Sequence, residues 1–298
     1  MPSMVGGLDI HRKQITFDYL DLATGEVKCG QVTPADRAQL RAWLARFEDP
    51  GEVAFAVEAC TGWRYVAGEL QRAGMQAHLA GPADTAAARG RKRRAKTDRA
   101  DARLQRDLLT QGRLPECWIP PEHVLEYRAL LELYHDLRAE HTAWIQRAHA
   151  VLFHQGAPAF HDLSRADAPA ELAALAREHL SPAGQQQVML YLRMLEVTGG
   201  ELDGLRRQLI AAARHLHGAR VLTESIYGVG PVTGLALTCW LGGAGRFTSA
   251  RKAVRFAGLD ITVYSSDGKR AALSEARKIT RRACHILSEL GDDALAAV

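Results

Sequence analysis

An uninterrupted apolar run, Val-Ala-Phe-Ala-Val at residues 53–57, restricts the fold of this chain more than any other segment. The run is too short for a typical helix, and apolar side chains at every position mean that both faces of the resulting strand are buried. Such a strand belongs inside a sheet that is covered by helices. The run therefore predicts a mixed α/β domain.

Other segments supply the remaining elements of this sheet. Further strands are expected at residues 5–10, 14–20, 27–32 and 75–79, the first three as an antiparallel meander. Residues 61–72 predict a helix. An earlier helix is expected to run to about Phe47, with Thr33 as its N-cap and Pro34 at its first helical position. The sheet is expected to close near residue 112.

Four carboxylates lie at the ends of these elements. Asp9 and Glu58 each end a strand segment, and Asp98 and Asp101 are three residues apart, so they share one face of a predicted helix. A single Asp at a strand end is more often a turn former or a helix cap. The order of the four, however, is the layout of a ribonuclease H-like nuclease core. Hard oxygen ligands suit Mg²⁺ or Mn²⁺, and two such ions can clamp both oxygens of an in-line phosphoryl displacement.

Three short motifs surround these carboxylates. They are Gly-Leu-Asp-Ile-His-Arg-Lys at residues 7–13, Glu-Ala-Cys-Thr-Gly-Trp at 58–63 and Lys-Thr-Asp-Arg-Ala-Asp-Ala at 96–102. As a set they resemble the motifs of the insertion-sequence one-ten family of DEDD transposases, and the resemblance extends into the C-terminal third of the chain. It implies an α/β ribonuclease H-like domain, similar to the RuvC resolvase. The catalytic metal ligands would be Asp9, Glu58, Asp98 and Asp101.

A basic run precedes the predicted metal-binding helix. The net charge of the chain is only +4, but no acidic residue occurs between residues 89 and 97. A solvated helix face normally mixes charge signs, so phosphate contact is the better interpretation of this unmixed segment. Such contacts position a nucleic acid without reading its sequence. The residues expected to make them are Arg89, Arg91, Lys92, Arg93, Arg94 and Lys96.

The character of the sequence changes after the Pro-Pro pair at 120–121. Apolar residues recur at alternating spacings of four and three between residues 130 and 151, and again between 202 and 216, which predicts two long helices with a narrow seam. They would form an antiparallel coiled-coil arm, with residues 155–184 at its far end. The predicted domains are a catalytic domain at 1–114, the arm at 115–218 and a small helical C-terminal domain at 219–298.

The C-terminal domain begins with Ile-Tyr-Gly-Val-Gly-Pro at residues 226–231. A Gly-x-Gly turn between two helices resembles a helix-hairpin-helix, in which backbone N–H groups at a helix N-terminus hold a phosphate. A tight turn between packed helices explains Gly228 and Gly230 equally well. Because the transposase family has a similar segment here, both glycines are predicted to contact nucleic acid.

Family members carry a Ser-Gly or Ser-Ser-Gly-Gly-Lys-like stretch that resembles residues 258–269 of this chain. The resemblance implies that its serine attacks DNA and stays attached through a phosphoserine. Ser266 is the first choice for this nucleophile and Ser265 the second, and Lys269 or Arg270 could assist. A turn without chemistry is the alternative, because no general base lies beside the serine in the sequence.

Two departures from the family pattern affect this domain. Asp267 stands where glycine is expected, and a helical segment with the pattern Ser-x-x-Gly-x-x-x-Leu-Arg is missing before the basic stretch at 269–278. The missing segment predicts an internal deletion. It would leave the C-terminal domain incomplete even though all four carboxylates are present.

Composition limits the cellular context. No apolar run approaches the length of a membrane span, and the N-terminus lacks the features of a signal peptide, so a cytoplasmic protein without a membrane partner is expected. The five cysteines are odd in number and widely separated. Their spacing argues against a disulfide framework or a zinc site.

The expected function is that of a DNA transposase or recombinase that uses Mg²⁺ or Mn²⁺ and a serine nucleophile. The resemblance implies donor and target DNA as substrates and a structured guide RNA that selects the sequence. The predicted arm favours a homodimer or homotetramer. Two alternatives stay open: a RuvC-like, structure-specific nuclease that uses water as its nucleophile, and a non-catalytic nucleic-acid-binding remnant.

Overall fold

The computed structural model describes residues 2–88, 97–160, 167–259 and 274–296. The chain divides into two compact units, Met1–Ile119 and Pro120–Val298. The first unit is a mixed α/β domain and the second is mostly helical, as the sequence predicts. Within the described ranges, no helix combines the length and the apolar character that a membrane crossing requires.

Six strands form one mixed sheet in the first unit. In spatial order they are β3 (Val27–Val32), β2 (Ile15–Asp21), β1 (Met4–Ile10), β4 (Val53–Glu58), β5 (Gln76–Ala80) and β6 (Glu116–Cys117). The first three strands of the chain form the predicted antiparallel meander, whereas β4 pairs in parallel with both β1 and β5. Strand β6 was not predicted, and it pairs antiparallel with β5.

Four α-helices accompany the sheet: α1 (Arg37–Leu44), α2 (Trp63–Arg72), α3 (Pro82–Ala88) and α4 (Asp98–Thr110). A short 3₁₀ helix, Pro50–Glu52, leads into β4. The prediction that Thr33 caps α1 is wrong. The Asp36 carboxylate instead accepts a 2.8 Å hydrogen bond from the Gln39 backbone N–H. An Asp at this position satisfies a free amide of the first turn, so the helix begins later than expected.

Both faces of β4 are buried, as its apolar run predicts. On one face Phe55 joins an aromatic cluster that α1 and α2 cover, with ring centroids 4.7–6.5 Å apart. The cluster consists of Phe17, Tyr19, Trp43, Phe47 and Phe55. Helix α4 packs across β1, β2 and β4 on the other face. The small side chains of Ala54 and Ala56 leave room for a close approach there.

A buried carboxylate joins α1 to α2. Glu69 is 2% exposed and accepts hydrogen bonds from Arg37 Nη1 at 2.6 Å, Arg41 Nε at 2.5 Å and Arg72 Nη1 at 2.5 Å. The bond from Arg41 contributes most to lowering the pKa of Glu69 to about 2. The folded state therefore strongly favours the charged form of this side chain.

We expect Glu69→Gln to destabilise the protein by roughly 2–3 kcal/mol at neutral pH, because the neutral amide cannot replace the carboxylate that the three arginines bind. The folded pKa lies below the ordinary value of 4.5. The contribution of Glu69 is therefore complete above about pH 4.5 and disappears as the pH falls toward 2. Thermal unfolding of both proteins across this range measures the difference, and the two stability curves should converge in acid. Equal stability at neutral pH would contradict the assignment.

The second unit is built from seven described helices. They are α5 (Glu122–His154), α6 (Ala168–His179), α7 (Pro182–His215), α8 (His217–Ser225), α9 (Pro231–Leu241), α10 (Ala250–Phe256) and α11 (Ser274–Leu290). Two short 3₁₀ helices, Ala244–Arg246 and Gly291–Leu295, complete the unit. Helices α5 and α7 have 33 and 34 residues, so each is about 50 Å long.

The two long helices run antiparallel. Near the middle of α5, the His141 Nδ1 atom lies 2.8 Å from the Thr198 hydroxyl of α7. Toward the end of α5, the rings of Trp144 and Tyr191 are 5.6 Å apart. Helix α6 lies within the stretch that was predicted as the far end of the arm, and its Leu172 packs into a small core with residues of α5 and α7.

Candidate active site

Asp9 and Glu58 lie at the same edge of the sheet. Strands β1 and β4 are parallel neighbours, in register up to the residue before each carboxylate. Side chains alternate along a strand, so Asp9 is on the face of Gly7 and Glu58 is on the face of Ala56. This is the face that α4 covers. The two strand carboxylates therefore lie on the same side of the sheet as α4.

The other two carboxylates lie in the first turn of α4. Asp98 is the first residue of the helix and Asp101 follows three residues later, so both are on one face. The Thr97 hydroxyl accepts a 3.2 Å hydrogen bond from the Ala100 backbone N–H and caps the helix. This cap fixes where the helix begins, and hence where Asp98 and Asp101 stand.

Asp9 lies within the electrostatic influence of the other three carboxylates. Burial, followed by the charges of Asp98, Asp101 and Glu58, raises the pKa of Asp9 to about 6, and His11 opposes this rise. The pKa of the Cys60 thiol is also raised, first by burial and then by two of the same carboxylates. Asp9 thus stands in a concentrated negative potential at the edge of the sheet.

This potential suits a divalent cation. Carboxylate oxygens are the ligands that Mg²⁺ and Mn²⁺ prefer, and the raised pKa of Asp9 expresses an excess of negative charge that such an ion would relieve. Across the described part of the chain, no three His, Cys, Asp or Glu side chains converge closely enough to hold a metal ion. The donor set therefore fits a metal in chemistry and charge, and binding would have to draw the side chains together.

Gln14 also belongs to this edge, although it was not predicted. Its Nε2 atom donates to Asp98 Oδ2 at 3.1 Å. Gln14 closes the hairpin between β1 and β2, where backbone hydrogen bonds of 2.9 and 3.3 Å link it to His11. The position of this tight hairpin directly after Asp9 is the sequence signal that could have identified Gln14. It orients one carboxylate of α4 from the sheet side.

Helix α4 lies directly against β1 at Gly7. A Cβ atom at this position would overlap the Ala102 carbonyl oxygen and would lie 2.8 Å from the Arg106 backbone nitrogen. On α4, the residue before Arg106 is Gln105, and its side chain is fully buried. With its amide oriented to donate, the Gln105 nitrogen lies 3.0 Å from a carbonyl oxygen of β1 and from one of β4. Asp98 and Asp101 therefore lie on a helix that packs directly against the sheet.

The second unit contains the predicted Gly-x-Gly turn between α8 and α9. Gly228 has a φ of +85°, which favours glycine, and Gly230 is the N-cap of α9. The turn borders a cleft, lined by residues 223–230 and by Arg282 of α11. Tyr227 at the tip of the turn is fully exposed. A helix N-terminus, a cation and an open aromatic ring thus meet in one place.

Several predicted site residues lie outside the described residues. In the first unit these are the basic residues Arg89, Arg91, Lys92, Arg93, Arg94 and Lys96. In the second unit they are Ser265, Ser266, Lys269 and Arg270. Their assignments stay predictions from the sequence.

Sequence models of two protein families match the chain. Residues 6–154, half of the 298 residues, match the DEDD transposase family of IS110, which is described as a transposase. Residues 220–290 match the family described as transposase IS116/IS110/IS902. No curated protein matches the chain. The first match contains all four carboxylates, and the second contains the Gly-x-Gly turn and both predicted serines.

Proposed function

This chain belongs to the IS110 family of transposases, and we propose that it cuts and rejoins DNA by phosphoryl transfer at the sheet edge formed by β1 and β4. The choice of this site depends on one observation: β1, β4 and the first turn of α4 bring four carboxylates to one edge of the sheet, where burial and the other three charges raise the pKa of Asp9 to about 6. Strongly perturbed groups of this kind are concentrated at functional sites.

Asp9, Glu58, Asp98 and Asp101 would hold Mg²⁺ or Mn²⁺. Bound ions of this type polarise phosphoryl oxygens and stabilise the leaving oxygen. The protein itself positions the carboxylates: β1 and β4 carry two of them, and the first turn of α4 carries the others. Gln14 would keep Asp98 in place through its 3.1 Å hydrogen bond.

Ser266, or Ser265 in its place, would supply the nucleophile. The serine Oγ would form a bond to the scissile phosphorus while the bond from phosphorus to the leaving DNA oxygen breaks, and the hydroxyl proton of the serine would pass to the leaving oxygen. Lys269 or Arg270 would neutralise part of the phosphate charge. Since a phosphoserine replaces one phosphodiester bond by another, the free hydroxyl of a second cut strand could attack its phosphorus, release the serine with the hydroxyl proton and rejoin the DNA.

Both units would contact nucleic acid. The basic run at residues 89–96 would bind phosphates in the first unit. In the second unit, the turn at Gly228 and Gly230 would bring backbone N–H groups and Arg282 to a phosphate, and Tyr227 would stack on a base. These contacts follow charge and shape rather than sequence. The resemblance to the family, rather than any contact in this chain, implies that a structured guide RNA selects the target by base pairing.

Helices α5 and α7 would act as a coiled-coil arm that joins copies of the protein. Large apolar side chains remain exposed along them, including Leu133 at 51% and Val197 at 60%. Apolar side chains on the outside of a two-helix arm are better explained if another copy covers them. The arm thus supports a homodimer or homotetramer.

The affinity for Mn²⁺ tests the proposed site. We expect the full chain to bind Mn²⁺, measured from the EPR signal of the free ion, and Asp98→Asn to weaken binding at least about tenfold, because it removes a charged ligand. Asp21→Asn is the matched control. Asp21 lies at the opposite end of the sheet and accepts backbone hydrogen bonds at 2.8 and 3.1 Å. If both substitutions weakened Mn²⁺ binding equally, the proposed metal site at this edge would be contradicted.

A DNA assay then separates the alternatives. With donor DNA, target DNA and Mg²⁺, a serine transposase leaves protein covalently attached to DNA, and Ser266→Ala should eliminate that product. A RuvC-like nuclease that uses water cleaves without any attachment. Binding of Mn²⁺ without cleavage would overturn the proposed reaction and identify a nucleic-acid-binding remnant, as an incomplete C-terminal domain would produce.

A further inference from the structure

An ion pair beneath α4 takes no part in the chemistry proposed above. Asp18, on β2, is 1% exposed, and Arg106, on α4, is 9% exposed. Arg106 Nη1 donates to Asp18 Oδ1, while its Nε and Nη2 atoms donate to Asp107 Oδ1 at 3.0 and 2.7 Å. Arg103 Nε lies 3.6 Å from the second oxygen of Asp18. Two opposite charges are thus buried between the sheet and the helix that carries Asp98.

Stability is a poor explanation for this pair. Removing two charges from water is costly, and replacing a buried ion pair by apolar side chains of similar volume is often neutral or stabilising. The hydrogen bonding around the pair is also incomplete. Asp18 Oδ2 and the nearby Thr16 Oγ1 are buried and make no hydrogen bond to any described residue. A costly ion pair with incomplete hydrogen bonding is better explained by a role in orienting α4 than by a gain in stability.

Three contacts together fix α4 on the sheet. Gly7, where no Cβ fits, sets the distance between the helix and β1. Asp18 is the cross-strand partner of Gly7 on β2, and it holds Arg106. Gln105, the preceding residue, reaches carbonyl oxygens of β1 and β4. Because consecutive helical residues point about 100° apart, the two side chains hold α4 from two directions and oppose rotation about its axis.

That rotation controls the proposed metal ligands. Asp98 and Asp101 lie seven and four residues before Gln105, so all three share one face of α4. A side-chain end lies about 5–6 Å from the helix axis, so a rotation of about 10° moves a carboxylate by roughly 1 Å. A displacement of that size can cost about 10²-fold in rate where reacting groups must be aligned.

We propose that the Asp18–Arg106 pair is a positioning device that sets the rotation of α4 and thereby directs Asp98 and Asp101 toward the metal site. The inference rests on the proposed function, since it requires these two carboxylates to be ligands. Asp18 and Arg106 contact neither metal nor substrate in this arrangement. Their effect passes through the backbone of α4.

Two variants of the full chain separate orientation from stability. Asp18→Leu/Arg106→Met keeps the volume but removes every directed bond, whereas Asp18→Asn removes the charge of the aspartate and keeps an acceptor oxygen for Arg106 Nη1. We expect the apolar double variant to melt near or above the unmodified protein and to bind Mn²⁺ about tenfold more weakly. Asp18→Asn should retain most of the Mn²⁺ affinity.

Other outcomes would overturn the inference. Unchanged Mn²⁺ affinity in the apolar double variant would do so, provided that Asp98→Asn weakens binding as expected. Equal loss in Asp18→Asn and in the apolar double variant would also do so, because charge rather than direction would then explain the effect. If Asp98→Asn itself has no effect, the proposed function fails instead.

Glu69→Gln provides the matched control, because it removes a buried carboxylate from a comparable arginine network between α1 and α2. It should lower the melting temperature and leave the Mn²⁺ affinity of the folded protein unchanged. A loss of Mn²⁺ affinity in this control would contradict the positioning role, since the removal of any buried ion pair would then suffice.

Discussion

Asp9→Asn is expected to abolish strand cleavage and, at the same time, to stabilise the metal-free protein. Cleavage is lost because asparagine keeps the shape of the side chain but gives up the charge that holds a divalent ion. Stability rises because burial and three neighbouring carboxylates hold the pKa of Asp9 at about 6, so the folded state disfavours its charged form. One substitution thus changes function and stability in opposite directions.

The gain in stability depends on pH in a defined direction. The ordinary pKa of this carboxyl is 3.8, and the folded value is about 6. Asp9 therefore favours the folded state when protonated, and this contribution is complete below about pH 3.8 and lost as the pH rises through 6. A rise of about two pKa units in this half-buried, partly solvent-screened group corresponds to roughly 1–2 kcal/mol at neutral pH. Asn removes this cost, so the difference between the two proteins should grow from acid to neutral pH.

Urea unfolding in the absence of divalent metal, near pH 4 and near pH 7.5, measures this difference, and cleavage of donor DNA with Mg²⁺ measures activity. Asp21→Asn serves again as the control. Backbone hydrogen bonds lower the pKa of Asp21, so its substitution should bring no gain in stability and no loss of cleavage. Normal cleavage by Asp9→Asn would contradict the assignment of Asp9 to the active site. The same stability difference at both pH values would show that folding does not raise the pKa of Asp9.

The strands of the first unit are predictable from the sequence because local patterns set their boundaries. The predicted meander at residues 5–10, 14–20 and 27–32 differs from the observed strands by at most one residue at either end. Strand β6, Glu116–Cys117, has no such pattern. Both of its residues are exposed, and only its pairing with β5 makes it a strand. Tertiary context, rather than propensity, decides such short elements.

The positions of the four carboxylates along the chain are likewise predictable, whereas the contacts that hold α4 are not. A charged residue within a strand, such as Asp18, normally indicates a solvent-facing side. Asp18 is buried only because it stands opposite Gly7 on the face that α4 covers. The role of Gly7 depends in turn on how closely the helix approaches. Neither fact is visible before the sheet is assembled.

The C-terminal unit shows the same division. The sequence could place the Gly-x-Gly turn between two helices because glycine favours positive φ and proline favours the first turn of a helix. In the structure Gly228 has a positive φ and Pro231 begins α9. Arg282, which lines the same cleft, comes from α11, far along the chain. No spacing rule connects it to the turn. Long-range packing brings this cation to the glycines, so the sequence alone could not add it to the predicted site.

Gly7→Ala is expected to damage the active site far more than the addition of one methyl group suggests. The new Cβ would overlap the Ala102 carbonyl oxygen and crowd the Arg106 backbone nitrogen, and a helix backbone cannot move aside as a flexible side chain can. Overpacking of this kind costs about 1–3 kcal/mol. Since α4 carries two of the proposed ligands, a shift of about 1 Å should lower cleavage by about 10²-fold or more. Mn²⁺ affinity should fall with it.

Gly6→Ala is the matched control, because Gly6 is the neighbouring residue on the opposite face of β1. There a Cβ would lie 2.6 Å from Phe55 Cδ1 and 2.8 Å from Tyr19 Cβ, within the aromatic core and away from α4. Urea unfolding should show that both variants lose stability, while Mn²⁺ titration should show a loss of affinity for Gly7→Ala alone. If Gly7→Ala retained full Mn²⁺ affinity, the close contact between α4 and β1 would not be needed to place the carboxylates. If both variants lost affinity equally, general loosening of the sheet would explain the effect, and the helix would have no special part in it.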